Sequence, residues 1–520
     1  MAPTSMNTYD VVVIGAGHNG LTTAAMLAAD KKKVLVLERR DVIGGLAAYE
    51  DFHEGFHSPG VLQESLLDEK IILFLLNEGP DEFQRPQGSP IFLPQRDGPG
   101  LLLSHDANQA KSEIEKHSSA DAKRYVEYRA FLERIYPFFN RLLNQMPPNI
   151  NDGGLSNMLS MAKTGLKLRR LGRQDMMEIL RIGPMCVADW LNEWFETEAL
   201  KCLLAMPSIT CSSTGPWSPA TNAMLLRHEF LKMNGHDDSL PSDVVSRIAK
   251  TARSLGVEIR TNSGVSDIRI SNGVIQGVTL EDGESFDVPI VAASCDPKTL
   301  FDKLIHTSHL PVRLEDRIAH YRCTGTTLKV NLALDGPLRF ACRPELEVER
   351  AVIAESLDVM EQAFDPIKYN RLPEKPILDI RVPTVSNPDL APKGKHVVSI
   401  LAHFVPYDLE GGWTDEARET IGDTVVERLA QYVPAVKGNI IAREVLTPVD
   451  IETRYGVTGG HLHHGEHGLD QMITRPIPEC ARYATPIKGL YLCGSGSHPG
   501  GGITGLPGSL AAQAILSAKK

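Results

Sequence analysis

The sequence predicts an α/β chain built on a Rossmann-type nucleotide-binding domain, with an α+β portion inserted into it. Three observations predict it: a glycine turn that follows the first strand, an acid that closes the second strand, and a glycine-rich loop near the end. Val11, Val12, Val13 and Ile14 form an unbroken β-branched run, as expected of a central parallel strand covered on both faces. The run ends in Gly15-Ala16-Gly17-His18-Asn19-Gly20, a G-x-G-x-x-G turn, and Leu21 to Ala29, rich in Ala and Leu, reads as a helix. Gly15 permits the tight turn, Gly17 lets a pyrophosphate approach the backbone, and Gly20 lets helix and strand pack closely. The phosphates then meet the free N–H groups of the helix start, at His18 and Asn19. Beyond the charged turn Lys31-Lys32-Lys33, Val34 to Leu37 is a second apolar strand that ends in Glu38. A carboxylate roughly 20 residues past the turn accepts hydrogen bonds from ribose hydroxyls. The unit is built for an adenine dinucleotide.

Gly44-Gly45 follows Glu38 in the pattern E-x5-G-G, within ERRDVIGG. This resembles the flavin-binding signature of the FAD oxidoreductases related to amine oxidases and phytoene desaturases. The resemblance implies FAD as cofactor, with Gly44, Gly45 and the following Leu46 close to its diphosphate and ribityl chain. Arg39 or Arg40 is placed to add charge near the phosphates; the plainer reading of either is a solvated loop charge.

At 520 residues the chain is too long for one core, so two domains are expected. A net charge of -11 argues against a nucleic-acid partner. No stretch reaches about 18 uninterrupted apolar residues, and MAPTSMNTYD has no apolar h-region. The eight cysteines are scattered without a C-x-x-C. They read as reduced thiols in a cytoplasmic setting, and they exclude the closely spaced redox pair of a disulfide reductase.

The cofactor domain is expected in three pieces, 1–72, 240–300 and 470–520, and the substrate or lid domain in two, 73–239 and 301–469. Gly55-Phe56-His57 and Pro59-Gly60 resemble the loop that family members run alongside the flavin. Helical periodicity governs Lys111–Asn144 and Met176–Leu204, with Pro and Gly clusters at 85–90 and 147–154 as connections. Residues 155–171 space Leu155, Met158, Leu159, Ala162, Leu166 and Leu171 as a helix, with Lys163, Lys167, Arg169, Arg170 and Arg173 interleaved. Two readings stand open there: a bundle helix with a wet basic face, or an interfacial helix that collects a lipophilic substrate from a membrane surface. Ser242–Leu255 reads as a helix. Strands at 256–260 and 264–270, and a hairpin turning at Asn272-Gly273, return the chain to the cofactor domain. Family likeness gives Val265 a backbone contact with adenine. Leu328 to Leu334 alternates as a half-buried strand, so that Lys329 and Asn331 face either a cavity or solvent. Thr414–Tyr432 is the one clear helix between 300 and 469.

Near the C terminus, Gly489 to Gly494 is an apolar strand, Ser495 to Gly505 a glycine-rich loop, and Ser509–Ser517 a closing helix. Too little chain remains for a second nucleotide fold. Together with TPVDIETRYGVTGGHLHHGEHGLDQ (447–471) and the N-terminal motif, LYLCGSGSHPGGGITG (490–505) resembles the phytoene desaturase-like family. Within that family the resemblance is to the branch of pyridine nucleotide-disulfide oxidoreductase domain-containing protein 2. It implies that Gly494, Ser495, Gly502 and Ile503 hold the flavin end of FAD. One departure is Asn234-Gly235-His236-Asp237-Asp238-Ser239, where family members carry a glycine pair; it leaves that part of the active-site wall open.

A flavin does the hard chemistry, and the protein adds position and a proton acceptor. The candidate catalytic residues are His498 in the flavin loop, with His464 and Glu466 in HLHHGEH; His461, His463 and His467 stand beside them. For His498 the plainer reading is a bond to its own loop backbone. The i, i+4 pair His463 and His467 invites a metal, but the surrounding glycines oppose a helix and no metal site is assigned. The expected activity is FAD-dependent hydride transfer between flavin and a small hydrophobic or conjugated molecule, of desaturase, saturase or dehydrogenase type. A flavin amine oxidase and a non-catalytic binding protein of the same fold are the alternatives. Oligomeric state does not follow from the sequence.

Overall fold

The computed structural model describes residues 9–76, 88–148, 162, 165–235 and 239–518. Val11–Ile14 (β1), Val34–Leu37 (β2), Glu258–Arg260 (β7), Val291–Ala293 (β11) and Leu490–Leu492 (β17) form a five-stranded parallel sheet in the order β17-β11-β1-β2-β7. β1 and β2 are buried throughout, as their unbroken apolar runs require. Their residues alternate between two cores. Val11 and Val13 join the core of helices His18–Ala29, Pro241–Ser254 and Leu506–Ser517. Val12 and Ile14 join Phe301 and the antiparallel sheet of Val265–Ser271 (β8), Val274–Leu280 (β9) and Ser285–Asp287 (β10). The β8–β9 turn has Asn272 at φ 50° and Gly273 at φ 71°, both left-handed as a type I′ hairpin needs.

The second sheet has seven strands: Ile91–Leu93 (β5), Leu101–Leu103 (β6), Thr327–Leu334 (β12), Arg350–Ile353 (β13), Ile377–Arg381 (β14), His396–His403 (β15) and Ile440–Leu446 (β16). Their order is β16-β12-β15-β14-β13-β5-β6. On one face Leu328, Val330, Ile400, Leu378 and Ala351 pack beneath helix Asp415–Ala430. Residues of opposite parity form the other face. There, register sets Lys329 opposite Leu401, Leu401 opposite Asp379 and Asp379 opposite Val352. This corrects the half-buried reading of β12, which is buried along its whole length, with Lys329 only 1% exposed. The alternation is real, but its polar side meets protein instead of water.

That protein is the segment 61–64, which lies as a strap against the polar face of the sheet. Lys329 Nζ donates to the Val61 carbonyl at 3.0 Å. Gln63 Nε2 donates to the carbonyls of Ser399 at 2.9 Å and Asp379 at 3.3 Å. Arg381 returns a bond to the Gln63 carbonyl at 2.5 Å, and Arg350 meets Glu64 at 2.9 Å.

Three further expectations change. Glu50–His53 (β3) and Phe56–Ser58 (β4) form a hairpin whose Phe56 packs against Leu240, Leu390 and Val397, away from the cofactor cavity described below. The stretch 176–204 is three helices, Arg173–Ile182, Val187–Trp194 and Glu198–Ile209, interrupted at Gly183-Pro184, where proline cannot continue a helix. Helices Val312–Ala319, Leu357–Phe364 and Pro448–Tyr455 accompany Asp415–Ala430 in the region expected to hold one. Of the amphipathic stretch 155–171, only 162 and 165–171 lie within the described residues, and 165–170 are helical; His236, Asp237 and Asp238 also lie outside them. No helix among the described residues is long and apolar enough to cross a membrane.

Gly20 shows how tightly the first unit is closed, since a Cβ there would sit 2.1 Å from the Gly15 carbonyl oxygen. Gly20→Ala should therefore destabilise the protein by about 1–3 kcal/mol, read as a lower urea midpoint with or without cofactor. An unshifted midpoint would show that helix and strand are not locked at this contact.

Candidate active site

A cavity of about 420 Å³ opens at the carboxyl ends of β1, β2 and β11, the place where open α/β sheets bind ligands. Gly15, Gly17, His18, Asn19, Glu38, Arg39, Gly45, Leu46, Val265, His464 and Ser495 line it. The two glycine motifs meet in its floor. Gly17 bridges Gly44, the Gly44 N–H donates to the Ala16 carbonyl at 2.9 Å, and a Cβ on Gly45 would lie 3.6 Å from Gly17 Cα. Gly44, at φ 121°, takes a conformation that other residues avoid. The Glu38 carboxylate accepts from the N–H groups of Ala16 at 2.8 Å and Arg40 at 3.0 Å, which fixes it at the cavity edge. Arg39 is exposed and spends one N–H on the Arg454 carbonyl at 3.0 Å.

These residues fit FAD. A Cβ at Gly17 would meet nothing within 4 Å and would project into the open cavity. Asn19 Oδ1 and His464 Nδ1 are buried there without a hydrogen-bond partner. The glycine turn would hold the diphosphate, Glu38 the ribose, Val265 the adenine, and the loop after β17 the flavin.

The remaining predicted residues stand just behind this wall. Gly20 and Gly44 close the turn from below. Gly494 lets β17 approach β11, because a Cβ would lie 2.4 Å from the Ser294 carbonyl oxygen. Gly502 accepts from His18 Nε2 at 3.1 Å, and the Ile503 carbonyl accepts from Leu66 N at 3.0 Å. The first and last cofactor loops are thereby tied directly to each other. Asn234 bonds the Asp68 carboxyl, and Asp68 N bonds the Thr504 carbonyl, so the departing loop braces the same wall.

The catalytic candidates separate. His464 faces the cofactor cavity in a left-handed conformation, φ 56°, which a non-glycine residue holds only under external constraint. Here Tyr321 Oη grips its carbonyl at 2.8 Å. His498 does not line the cavity; its Nε2 donates to the Leu142 carbonyl at 2.9 Å. The cause is Arg227, which holds the carbonyls of Pro499 at 2.9 Å and Gly501 at 2.5 Å and so fixes the loop with the His498 ring turned away. Glu466 pairs with Arg322 at 2.8 Å, outside both cavities. His461 Nδ1 accepts from the N–H groups of His463 at 3.2 Å and Gly465 at 3.3 Å, shaping the loop.

A second cavity, of about 150 Å³, shares Leu62 and Leu462 with the first. Leu66, Leu203, Leu204, Met206, Met224 and Leu401 make its walls apolar, and no Phe, Tyr or Trp lines it among the described residues. His463 and His467 stand between it and the C-terminal loop. A Cβ on Gly500 or Gly501 would fall 2.4 or 2.5 Å from those rings, so the glycines are the space the imidazoles occupy. One end is charged: Glu64 receives Arg350 at 2.9 Å and His228 at 2.8 Å. The polar half of β12 is the sequence signal that pointed this way; Glu64, Arg227, His228 and Arg350 carried none of their own. Neither did Arg475, fully buried, which donates to the carbonyls of Ser495, Glu466, His463 and Gly465 at 2.7–3.1 Å.

Burial disfavours the charged form of His18, His461 and His498. It lowers His18 to about 4, His461 to about 3 and His498 to about 4. Their folded values lie below the unfolded one, so between them the unfolded chain binds more protons. The associated stability is complete above about pH 6.5 and is lost as pH falls toward 4. Each contributes on the order of 1.4 kcal/mol per pH unit in that window. The urea midpoint should fall steeply between pH 7 and pH 5; a flat profile would mean these rings are hydrated. A second substitution isolates the cofactor: Gly17→Ala should leave the cofactor-free urea midpoint unchanged while weakening FAD binding at least tenfold in a fluorescence titration. Tight binding by the variant would remove the diphosphate from this turn.

The comparisons agree with this geometry. The family model described as "Flavin containing amine oxidoreductase" matches residues 20–519. Pyridine nucleotide-disulfide oxidoreductase domain-containing protein 2 of Rattus norvegicus is 31% identical, covering 98% of this chain and 93% of its own. One of the limonene dehydrogenase chains of Castellaniella defragrans is 29% identical, covering 97% and 94%. In structure, an oxidoreductase from Methanosarcina mazei superposes with a TM-score of 0.60 at 17% identity, over 98% of this chain and 99% of that one. The chain belongs to the flavin-containing amine oxidoreductase family, where its relatives include the phytoene desaturases, and it is an FAD-dependent oxidoreductase.

Proposed function

We propose that the substrate is a small hydrophobic or conjugated molecule and that the reaction transfers hydride between it and the flavin. One observation carries this: a cavity with largely apolar walls that shares Leu62 and Leu462 with the cofactor cavity. FAD supplies the two-electron acceptor when bound. The protein positions the substrate with leucine and methionine side chains, excludes water and controls protons at its charged end. Limonene dehydrogenase and phytoene desaturase, names borne by relatives, denote the same class of hydrogen removal. An ammonium substrate fits less well, because the described lining offers no aromatic face to a cation. The test is an anaerobic absorbance scan of flavin-loaded protein against a panel of apolar alkenes, polyenes and cyclic alcohols, with alkyl amines of matched size. Bleaching by an apolar member is expected; bleaching by amines alone would overturn the reading.

We also propose contact with a membrane surface. Leu166 is 56% exposed in the helical residues 165–170, and Met177 (55%) and Leu180 (57%) are exposed on helix Arg173–Ile182. Arg169, Arg170 and Arg173 are exposed beside them. Apolar and basic side chains presented together suit an interface with anionic lipid. The protein should sediment with anionic vesicles at low salt, and the double variant Leu166→Glu, Leu180→Glu should stay in the supernatant. Wild-type protein left in the supernatant would end this proposal.

A further inference from the structure

Of the three acids lining the second cavity, Glu64, Glu229 and Asp379, Asp379 is the one that receives no ion pair among the described residues. It lies on β14, in the row Lys329–Leu401–Asp379–Val352 on the strapped face of the sheet, with leucine and valine as its cross-strand neighbours. Its backbone carbonyl accepts from Gln63 Nε2 at 3.3 Å, but its carboxyl receives no hydrogen bond among the described residues. Glu64, on the facing strap, shows the contrast: it takes both Arg350 and His228. The nearby donors are committed elsewhere, Lys329 to the Val61 carbonyl and Arg381 to Glu349 and the Gln63 carbonyl.

We propose that Asp379 is the base of the substrate cavity: its carboxylate accepts the proton that the substrate gives up as it is oxidised. This rests on the second cavity being the substrate site. A two-electron oxidation of a saturated C–C or C–O unit breaks one C–H bond with its electron pair, which the oxidised flavin takes as hydride. It breaks a second C–H or O–H bond without that pair, which stays behind as the new double bond. The second proton needs an acceptor within reach of the cavity, and Asp379 is the acid with its oxygens unengaged. Its environment suits that work. Burial and the negative charge of Glu64 raise its carboxyl above the usual range, against the pull of Arg350, Lys329 and Arg381. Across the cavity, Arg227, His228 and Lys232 come from helix Thr221–Asn234, and the neutral His463 and His467 from the loop. Glu64 is held well below its usual range by Arg350 and His228 despite burial. Two carboxyls driven apart in this way take different roles, one a fixed charge and the other a proton carrier.

The experiment compares flavin-loaded wild type with the near-isosteric Asp379→Asn and with Asp379→Glu. The first readout needs no substrate: infrared difference spectra over pH, with isotope-labelled aspartate. They should show a carboxylic-acid band that titrates above the ordinary aspartate range and is missing from the Asn variant. If the aspartates all ionise in the ordinary range, the proposal fails. The second readout is anaerobic flavin bleaching by whichever panel member bleaches wild type. Asp379→Asn should slow it by about 10²–10⁴-fold and lose the acidic limb of the pH profile, with FAD affinity unchanged. Asp379→Glu should keep the limb, displaced. Wild-type rates and an unchanged limb in the Asn variant would overturn the proposal. If no panel member bleaches the flavin, the substrate reading fails by itself, and the infrared titration still decides whether Asp379 carries a proton.

Discussion

The structure depends on the contact between the polar face of the seven-stranded sheet and the segment 61–64. Strand alternation gives that sheet two faces, and both are buried, one by apolar side chains and the other by charged ones. An unpaired lysine or arginine inside a protein is strongly destabilising, and removing one partner of such a pair costs more than the pair contributes. Lys329, Arg381 and Arg350 each bond the backbone or acid of one short segment, so displacing the segment breaks a bond at all three. The strap thereby ties the seven-stranded sheet to the loop of Leu46, whose carbonyl accepts from Val61 N at 2.8 Å. It also fixes Leu62, the residue both cavities share.

A second joint closes the other side. Arg227, partly buried, and Arg475, fully buried, have no carboxylate partner among the described residues and donate to backbone carbonyls of the two loops they connect. Two cations in so little space have electrostatic consequences. Burial, reinforced by Arg475, lowers Arg227 to about 9, and burial together with both arginines drives His467 well below its usual range. The histidines of HLHHGEH are therefore packing and hydrogen-bonding groups whose rings fill the space beside Gly500 and Gly501. His464 differs because its ring faces the cofactor cavity and its strained backbone is gripped by Tyr321.

What was legible in the sequence was local. The glycine turn, Glu38, the glycine pair and the Asn272-Gly273 hairpin each carry their geometry in a few adjacent residues, and their neighbours in space are their neighbours in the chain. The alternation of β12 was equally legible. What covers its polar side was not, because the cover comes from residues nearly 270 positions away, |i−j| being 268 for Lys329 and Val61. His498 illustrates the same limit: membership of the flavin loop is written in the sequence, but the direction of its ring is set by Arg227, a distant residue with no motif around it. Asp379 had no signal at all, since an acid in a short apolar strand reads as an edge or a surface position until the register is known.

The two cavities divide the chemistry along their shared wall. On the cofactor side the Glu38 carboxylate is held by two N–H donors, and burial lowers the imidazoles of His18 and His464. On the other side burial brings Lys329 down to about 7 and raises the Asp379 carboxyl above its usual range. The division follows from solvation rather than from which residue types are present. Glu64 and Asp379 are both acids near Arg350, but Glu64 also receives hydrogen bonds and Asp379 does not. The strap creates that difference, because by presenting Glu64 to Arg350 and His228 it uses up the local donors. It leaves the Asp379 carboxyl in the cavity without a hydrogen-bond donor among the described residues, between the cross-strand neighbours Val352 and Leu401. The interaction that holds the segment 61–64 against the seven-stranded sheet is thus the one that leaves the Asp379 carboxyl free in the second cavity.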